Sequence, residues 1–263
     1  MPRLLPAHDE LFGINNQAPS GFDRETRSHG MQETGESKMH IEPGIVVGAK
    51  LALGFVTATG AVGYAAKLAK DMSRRDGVPA LAIRVLLAAV LVLSFFQLLP
   101  HFPVGVSEVH FILGSTLFLM FGAGPAAIGL ALGLLAQGLL FAPADLPQYG
   151  MNVTSLLVPL LAVNALAQRV IPANTAYKDV TYAQALKLST TYQAGVVAWV
   201  GFWAVYGSGA GAENLVQIAA FGAAYMSVIV VEPLLDLVVL GAVKSFHQAE
   251  SSGLFHARLH RAA

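Results

Sequence analysis

The chain contains no cysteine. That removes disulfides, thiolate metal sites, iron–sulfur clusters and cysteine nucleophiles together, so any metal must be held by nitrogen or oxygen. Charge is scarce as well: 12 % of the 263 residues are Asp, Glu, Lys or Arg, against roughly 25 % in a soluble domain. Bases and acids balance at 16 each with no basic stripe, which argues against nucleic acid as a partner. Catalytic signatures are missing too. There is no His-Glu-x-x-His zinc-protease motif and no serine elbow. The run Gly44-Ile45-Val46-Val47-Gly48-Ala49-Lys50 is one residue too short between its glycines for a phosphate-binding loop, and Leu51 follows the lysine. No ATP is bound by that route, and an enzyme is not expected.

What the chain has in abundance is apolar surface. Hydrophobic residues make up 55 %, mean hydropathy is +0.59, and there are 26 glycines. The expected fold is an all-α, polytopic integral membrane protein whose helices pack through small residues. Apolar periodicity predicts about seven transmembrane helices, over residues 44–67, 79–99, 108–122, 125–142, 150–169, 183–206 and 214–243. Small residues four apart, Gly44/Gly48/Ala52 and Ala61/Ala65/Ala69 on helix one and Gly129/Gly133 on helix four, are ridges for close packing. They would serve either the protein's own helices or a partner membrane subunit.

Residues 1–38 are different. They hold six acidic and four basic side chains and no apolar h-region, so they are no signal peptide and are expected to be disordered. They are either a real tail or a leader ahead of a true start at Met39 (or Met31), and the second is favoured. Residues 39–245 form the expected transmembrane domain and 246–263 a tail. Positive charge sets the orientation. Lys67, Lys70, Arg74, Arg75, Arg84, Arg169, Lys178, Lys187, Lys244, Arg258 and Arg261 all fall on one side of a seven-helix protein, which is expected to be cytoplasmic. Lys50 falls on the other, with Glu42, Glu108, Asp145 and Glu213, a mildly cation-attracting outer mouth. Inside the membrane, Glu232 and Asp236 share one helix face. Arg84 stands at a similar depth to Asp236, and an ion pair between these two is expected; the rival reading gives the acids to a partner contact.

A chain starting at Met39 offers three nitrogens in a row: its α-amine, the His40 amide and the His40 imidazole. With the amide deprotonated they close two fused chelate rings around one ion, an in-plane nitrogen set suited to Ni(II), Cu(II) and related metals. His110 would complete the square. His101, in a proline-flanked loop beside it, is either a loop residue or an alternative fourth ligand. Glu108 would orient a histidine or be a rim charge. Asn152 would tie the metal loop to the helices or cap a helix after Gly150. His247, His256 and His260 are expected to be solvated.

Several stretches carry a resemblance. Met39-His40-Ile41 with a following proline–glycine, Ser107-Glu108-Val109-His110-Phe111-Ile112-Leu113-Gly114, the Gly/Ala-rich segment 118–138 ending in Gln137-Gly138-Leu139-Leu140-Phe141-Ala142, and Gly150-Met151-Asn152-Val153 are similar to the metal-capture membrane subunit of cobalt and nickel energy-coupling-factor transporters, the CbiM/NikM family. The likeness spans roughly residues 39–245. It implies capture of Ni(II) or Co(II), as transported substrate, by Met39, His40 and His110 at the outer face of a plasma membrane, in service of cobalamin biosynthesis or nickel use. It implies a transmembrane coupling subunit, cytoplasmic ATPases and often a small accessory membrane subunit as partners. Oxygen-preferring Mg(II) and Ca(II) should be refused. The alternative function is a stand-alone secondary transporter or channel for another small solute. Proton or sodium coupling would predict paired acids at mid-membrane, whereas the internal acids here lie toward one end.

Overall fold

The computed structural model describes Ile41 and residues 44–173, 175, 176 and 179–245, excepting the side chains at 229, 233, 236, 237 and 239–245. The leader 1–38, Met39, His40 and the tail 246–263 lie outside the described residues. Helices run over Leu51–Asp76 (α1), Val78–Leu98 (α2), Gly114–Phe121 (α3), Ala123–Leu140 (α4), Tyr149–Val170 (α5), Tyr182–Ser208 (α6) and Ala212–Ser245 (α7). Between α2 and α3 lies one antiparallel hairpin, His101–Val104 (β1) and Ser107–His110 (β2). Short 3-10 segments, Gly48–Lys50 and Pro143–Gln148, precede α1 and α5.

The fold is therefore all-α apart from one hairpin. Among the described residues, five helical stretches are long and apolar enough to cross a membrane: Gly48–Asp76, Val78–Leu98, Ala123–Leu140, Pro143–Val170 and Ala212–Glu232. The other two helices differ for physical reasons. α6 has 27 residues but carries Gln184, Ser189, Thr190 and Gln193. α3 has only 8 residues, roughly 12 Å at 1.5 Å per residue.

Two sequence expectations are corrected here. Helix one does not start at residue 44. Gly44 and Gly48 take φ of 99° and 62°, a region closed to a right-handed helix, so α1 begins at Leu51 and the Gly44/Gly48/Ala52 ridge does not form. Helix three does not start at 108. Gly105, with φ 63°, turns the chain back into the hairpin, and Leu113, left-handed at φ 54°, separates strand from helix.

The other ridges are spent inside the protein. Ala61, Ala65 and Ala69 are buried. A Cβ on Gly124 would sit 2.6 Å from the Ala69 nitrogen, one on Gly129 2.3 Å from the Ala88 Cβ, and one on Gly133 2.7 Å from the Val92 Cβ. α4 thus lies against α1 and α2 at backbone distance, which glycine alone permits.

Gly77 alone joins α1 to α2, with φ 88° and its N–H donated to the Ser73 carbonyl at 3.0 Å. The tight turn brings Asp76 to Arg84, whose Nη1 stands 2.6 Å from Asp76 Oδ2 and 3.4 Å from Met72 Sδ. Arg84 is buried at 3 % exposure. The side chain of its expected partner, Asp236, lies outside the described residues. Replacing Arg84 with glutamine is expected to lower the melting temperature and the yield of folded protein, at about 1.5–3 kcal/mol for a lost bond to a charged group. Size-exclusion recovery in detergent checks this, and wild-type recovery would refute it.

Glu232 of α7 is fully buried and surrounded by donors. It accepts from the Ser115 backbone N–H at 3.1 Å and the Ser115 hydroxyl at 2.7 Å, both in the first turn of α3. Ser189 of α6 donates at 3.2 Å, and the Gln193 amide also donates. A carboxylate at a helix N-terminus answers both the orphan N–H groups and the helix dipole. In effect α7 caps the short α3 from across the bundle.

Candidate functional site

One end of the bundle gathers four pieces: Ile41 with residues 44–50, the hairpin, Pro143–Gln148 and the α6–α7 junction. Each is pinned by close approach. A Cβ on Gly105, in the hairpin turn, would fall 2.1 Å from the Gln217 carbonyl oxygen of α7. A Cβ on Gly207, near the end of α6, would fall 2.0 Å from the Ile45 carbonyl oxygen. Lys50 donates to the Tyr206 and Gly207 carbonyls at 3.0 and 3.2 Å, satisfying the last carbonyls of α6 with a cation where the dipole favours one.

In the hairpin, His101 pairs with His110 and Pro103 with Glu108. Opposite residues share a face, so His101, Glu108 and His110 lie on one side of the ribbon. His110 is 4 % exposed. The Phe96 ring meets it edge-on at 4.9 Å, and the Tyr225 hydroxyl donates to its backbone carbonyl at 3.3 Å. Glu108 is buried too, with His101 Nδ1 3.3 Å from its Oε2. Burial, and then the charge of Asp145, push the Glu108 carboxyl up to about 7.

Beneath the hairpin is a cavity of about 20 Å³, room for one water-sized guest. Its polar wall is Ser107, Glu108, His110, Asn152 and Ser155; Ile41, Phe221 and Tyr225 contribute to the rest. Asn152, 4 % exposed, also lines a second small cavity with Gln137, Asp145 and Tyr149. It stands inside the first turn of α5, so it is not a cap. It reaches this place because Gly150 lets α5 touch α1 backbone to backbone: a Cβ there would lie 2.7 Å from the Gly54 carbonyl carbon.

The structure therefore brings His110, Glu108, His101 and Asn152 into one region. Among the described residues no three His, Asp or Glu side chains form a metal-holding group. Met39 and His40 lie outside the described residues, but Ile41, the next residue after His40, is buried in the cavity wall beside His110. The sequence reading missed Gln148, whose buried side chain meets the backbone at Ile41 and Gly44, and Tyr225. Neither carries a local signal; both act on residues more than a hundred positions away. The hairpin did carry one, a glycine between two short runs.

The apolar helices and the small, histidine-bearing polar cavity at one end define the class: an all-α, polytopic membrane protein. Residues 40–249 match the family described as cobalt uptake substrate-specific transmembrane region, CbiM. The chain belongs to that family, and is a substrate-specific membrane component of cobalt uptake. No curated protein and no solved structure matches it.

Proposed function

We propose that this chain captures Ni(II) or Co(II) for an energy-coupling-factor transporter, and that the ion binds through the Met39 amine, the His40 amide and imidazole, and the His110 imidazole. The observation that supports this best is the shared cavity: Ile41 and His110 line the same wall. Adjacent Cα atoms are about 3.8 Å apart across a trans peptide, so the chain leaves the cavity one bond-pair from His40. The guest-sized volume suits a single ion stripped of its water. Asp145, whose charge reaches Glu108, adds negative potential near the cavity. His101, engaged with Glu108, is better read as the mouth of the site than as the fourth ligand.

In this reading the His110 end faces outward, and the end carrying Arg74, Arg75 and Arg169 meets the coupling subunit and the ATPases in the cytoplasm. Chemical work comes from those partners, consistent with a chain that has no nucleotide loop.

The test combines mass analysis of the natively processed N-terminus with metal content of purified protein. A chain starting at Met39 is expected, holding about one Ni(II) or Co(II). His40→Ala and His110→Ala should each weaken retention by at least about a hundredfold, beyond the 10–100-fold typical of outer-shell changes. Unchanged metal content in both variants, or an intact leader on a fully loaded protein, would sink the ligand set.

A further inference from the structure

Gln148 holds the backbone at two places near the cavity, Ile41 and Gly44. It is the last residue of the 3-10 segment Pro143–Gln148 and is 5 % exposed. With its amide oriented to satisfy both neighbours, Nε2 donates to the Ile41 carbonyl at 2.7 Å and Oε1 accepts from the Gly44 N–H at 3.2 Å. One side chain so placed fixes the direction in which the chain runs at Ile41.

The surroundings make this clamp rigid. Pro143 and Pro147 stiffen the segment that carries Gln148, and α5 continues from it without a gap. Asn152 follows four residues later, on the same helical face, and lines the cavity. Downstream, Gly207 against Ile45 and Lys50 on the α6 carbonyls anchor the far half of the same stretch. The near half is held by Gln148 at the Ile41 and Gly44 backbone and by the burial of the Ile41 side chain.

We infer that Gln148 is a positioning residue for the ion site: it fixes the backbone at Ile41, in the cavity wall, and at Gly44 before an ion arrives. The inference rests on the reading of the cavity as the ion site. Its physical basis is preorganisation. A cavity wall already fixed loses less freedom on binding and releases its guest more slowly. Outer-shell partners of this kind change metal affinity about 10–100-fold.

The experiment uses the full chain isolated from its own membrane and Ni(II) as the probe, comparing wild type, Gln148→Ala, Gln148→Glu and His110→Ala. Affinity, release rate and the visible absorption band are measured, together with hydrogen exchange of residues 41–47 in the metal-free protein. Gln148→Ala is expected to weaken Ni(II) about 10–100-fold, to release it faster, and to leave the band where it is, because the ligands are unchanged. Exchange at 41–47 should rise. Gln148→Glu keeps the acceptor for Gly44 and loses the donor for Ile41, so it should fall between. His110→Ala should change the band itself.

A Gln148→Ala protein that binds within twofold of wild type overturns the inference and leaves the ion site standing. A shifted band in Gln148→Ala overturns it as well, since Gln148 would then alter the ligand set. Wild-type protein that binds neither Ni(II) nor Co(II) overturns the ion site and the inference with it.

Discussion

Glu232→Ala will unfold a large share of the protein. The substitution strands four donors in an apolar interior: the Ser115 N–H, two serine hydroxyls and the Gln193 amide. The hydroxyls can rotate, but the Ser115 N–H and the Gln193 amide have fixed directions. Each unsatisfied buried group costs about 1–3 kcal/mol, so a loss of roughly 3–5 kcal/mol is expected, a large part of the total for most proteins. Glu232→Gln keeps one acceptor for Ser115 and can pair with Gln193 after an amide rotation, so it should lose far less. Thermal melting in detergent separates the two. Alanine and glutamine variants that melt together with wild type would show that the network does not stabilise the bundle. Because Ser115 lies five residues after His110, the alanine variant should also lose metal at temperatures where it remains folded.

Gly150→Val is expected to be nearly as damaging. A Cβ at this position meets the Gly54 carbonyl carbon at 2.7 Å and the Phe55 nitrogen at 2.8 Å. Both obstacles are backbone, so no rotamer change relieves them and α1 must move away from α5. Overpacking typically costs 1–3 kcal/mol; a backbone obstacle belongs at or above the upper end, about 3 kcal/mol. The displacement would also carry Asn152 off the cavity and Gln148 off the Ile41 and Gly44 backbone. Gly60→Ala is the matched control. Its added Cβ meets nothing within 4 Å, and alanine gains up to about 1 kcal/mol over glycine inside a helix. Folded yield in membranes should fall several-fold for the first and hold or rise for the second. Equal yields would refute the close-approach reading.

Much of this molecule is legible in its sequence because the bilayer restricts what a chain can do. With no water to satisfy backbone groups, long apolar runs must be helices, and each predicted helix has its counterpart. What stayed hidden has a common cause. Glu108, Val109 and His110 read as the first turn of helix three, since a short buried run looks alike in strand and helix. Only Gly105 and the left-handed Leu113 distinguish them, through backbone angles that composition does not encode. Arg84 was legible as a buried cation needing an acid. Its neighbour Asp76 was not singled out, because the one-residue turn at Gly77 folds two helices closer than loop statistics suggest. His110 drew notice by its chemistry and Gln148 did not: an imidazole is a potential ligand wherever it stands, whereas a glutamine that grips another segment's backbone looks like any polar surface residue.

The brevity of α3 bears on how the bundle could cross a bilayer. A helix of roughly 12 Å is less than half as long as a hydrocarbon slab about 30 Å thick, so α3 spans none by itself. Its open first turn is answered by Glu232 of α7, and the ribbon ahead of it buries Glu108 and His110 while Phe102 stays exposed. Non-helical backbone is tolerated in lipid only where protein surrounds it, so the exposed edge of the ribbon belongs at a water-facing rim.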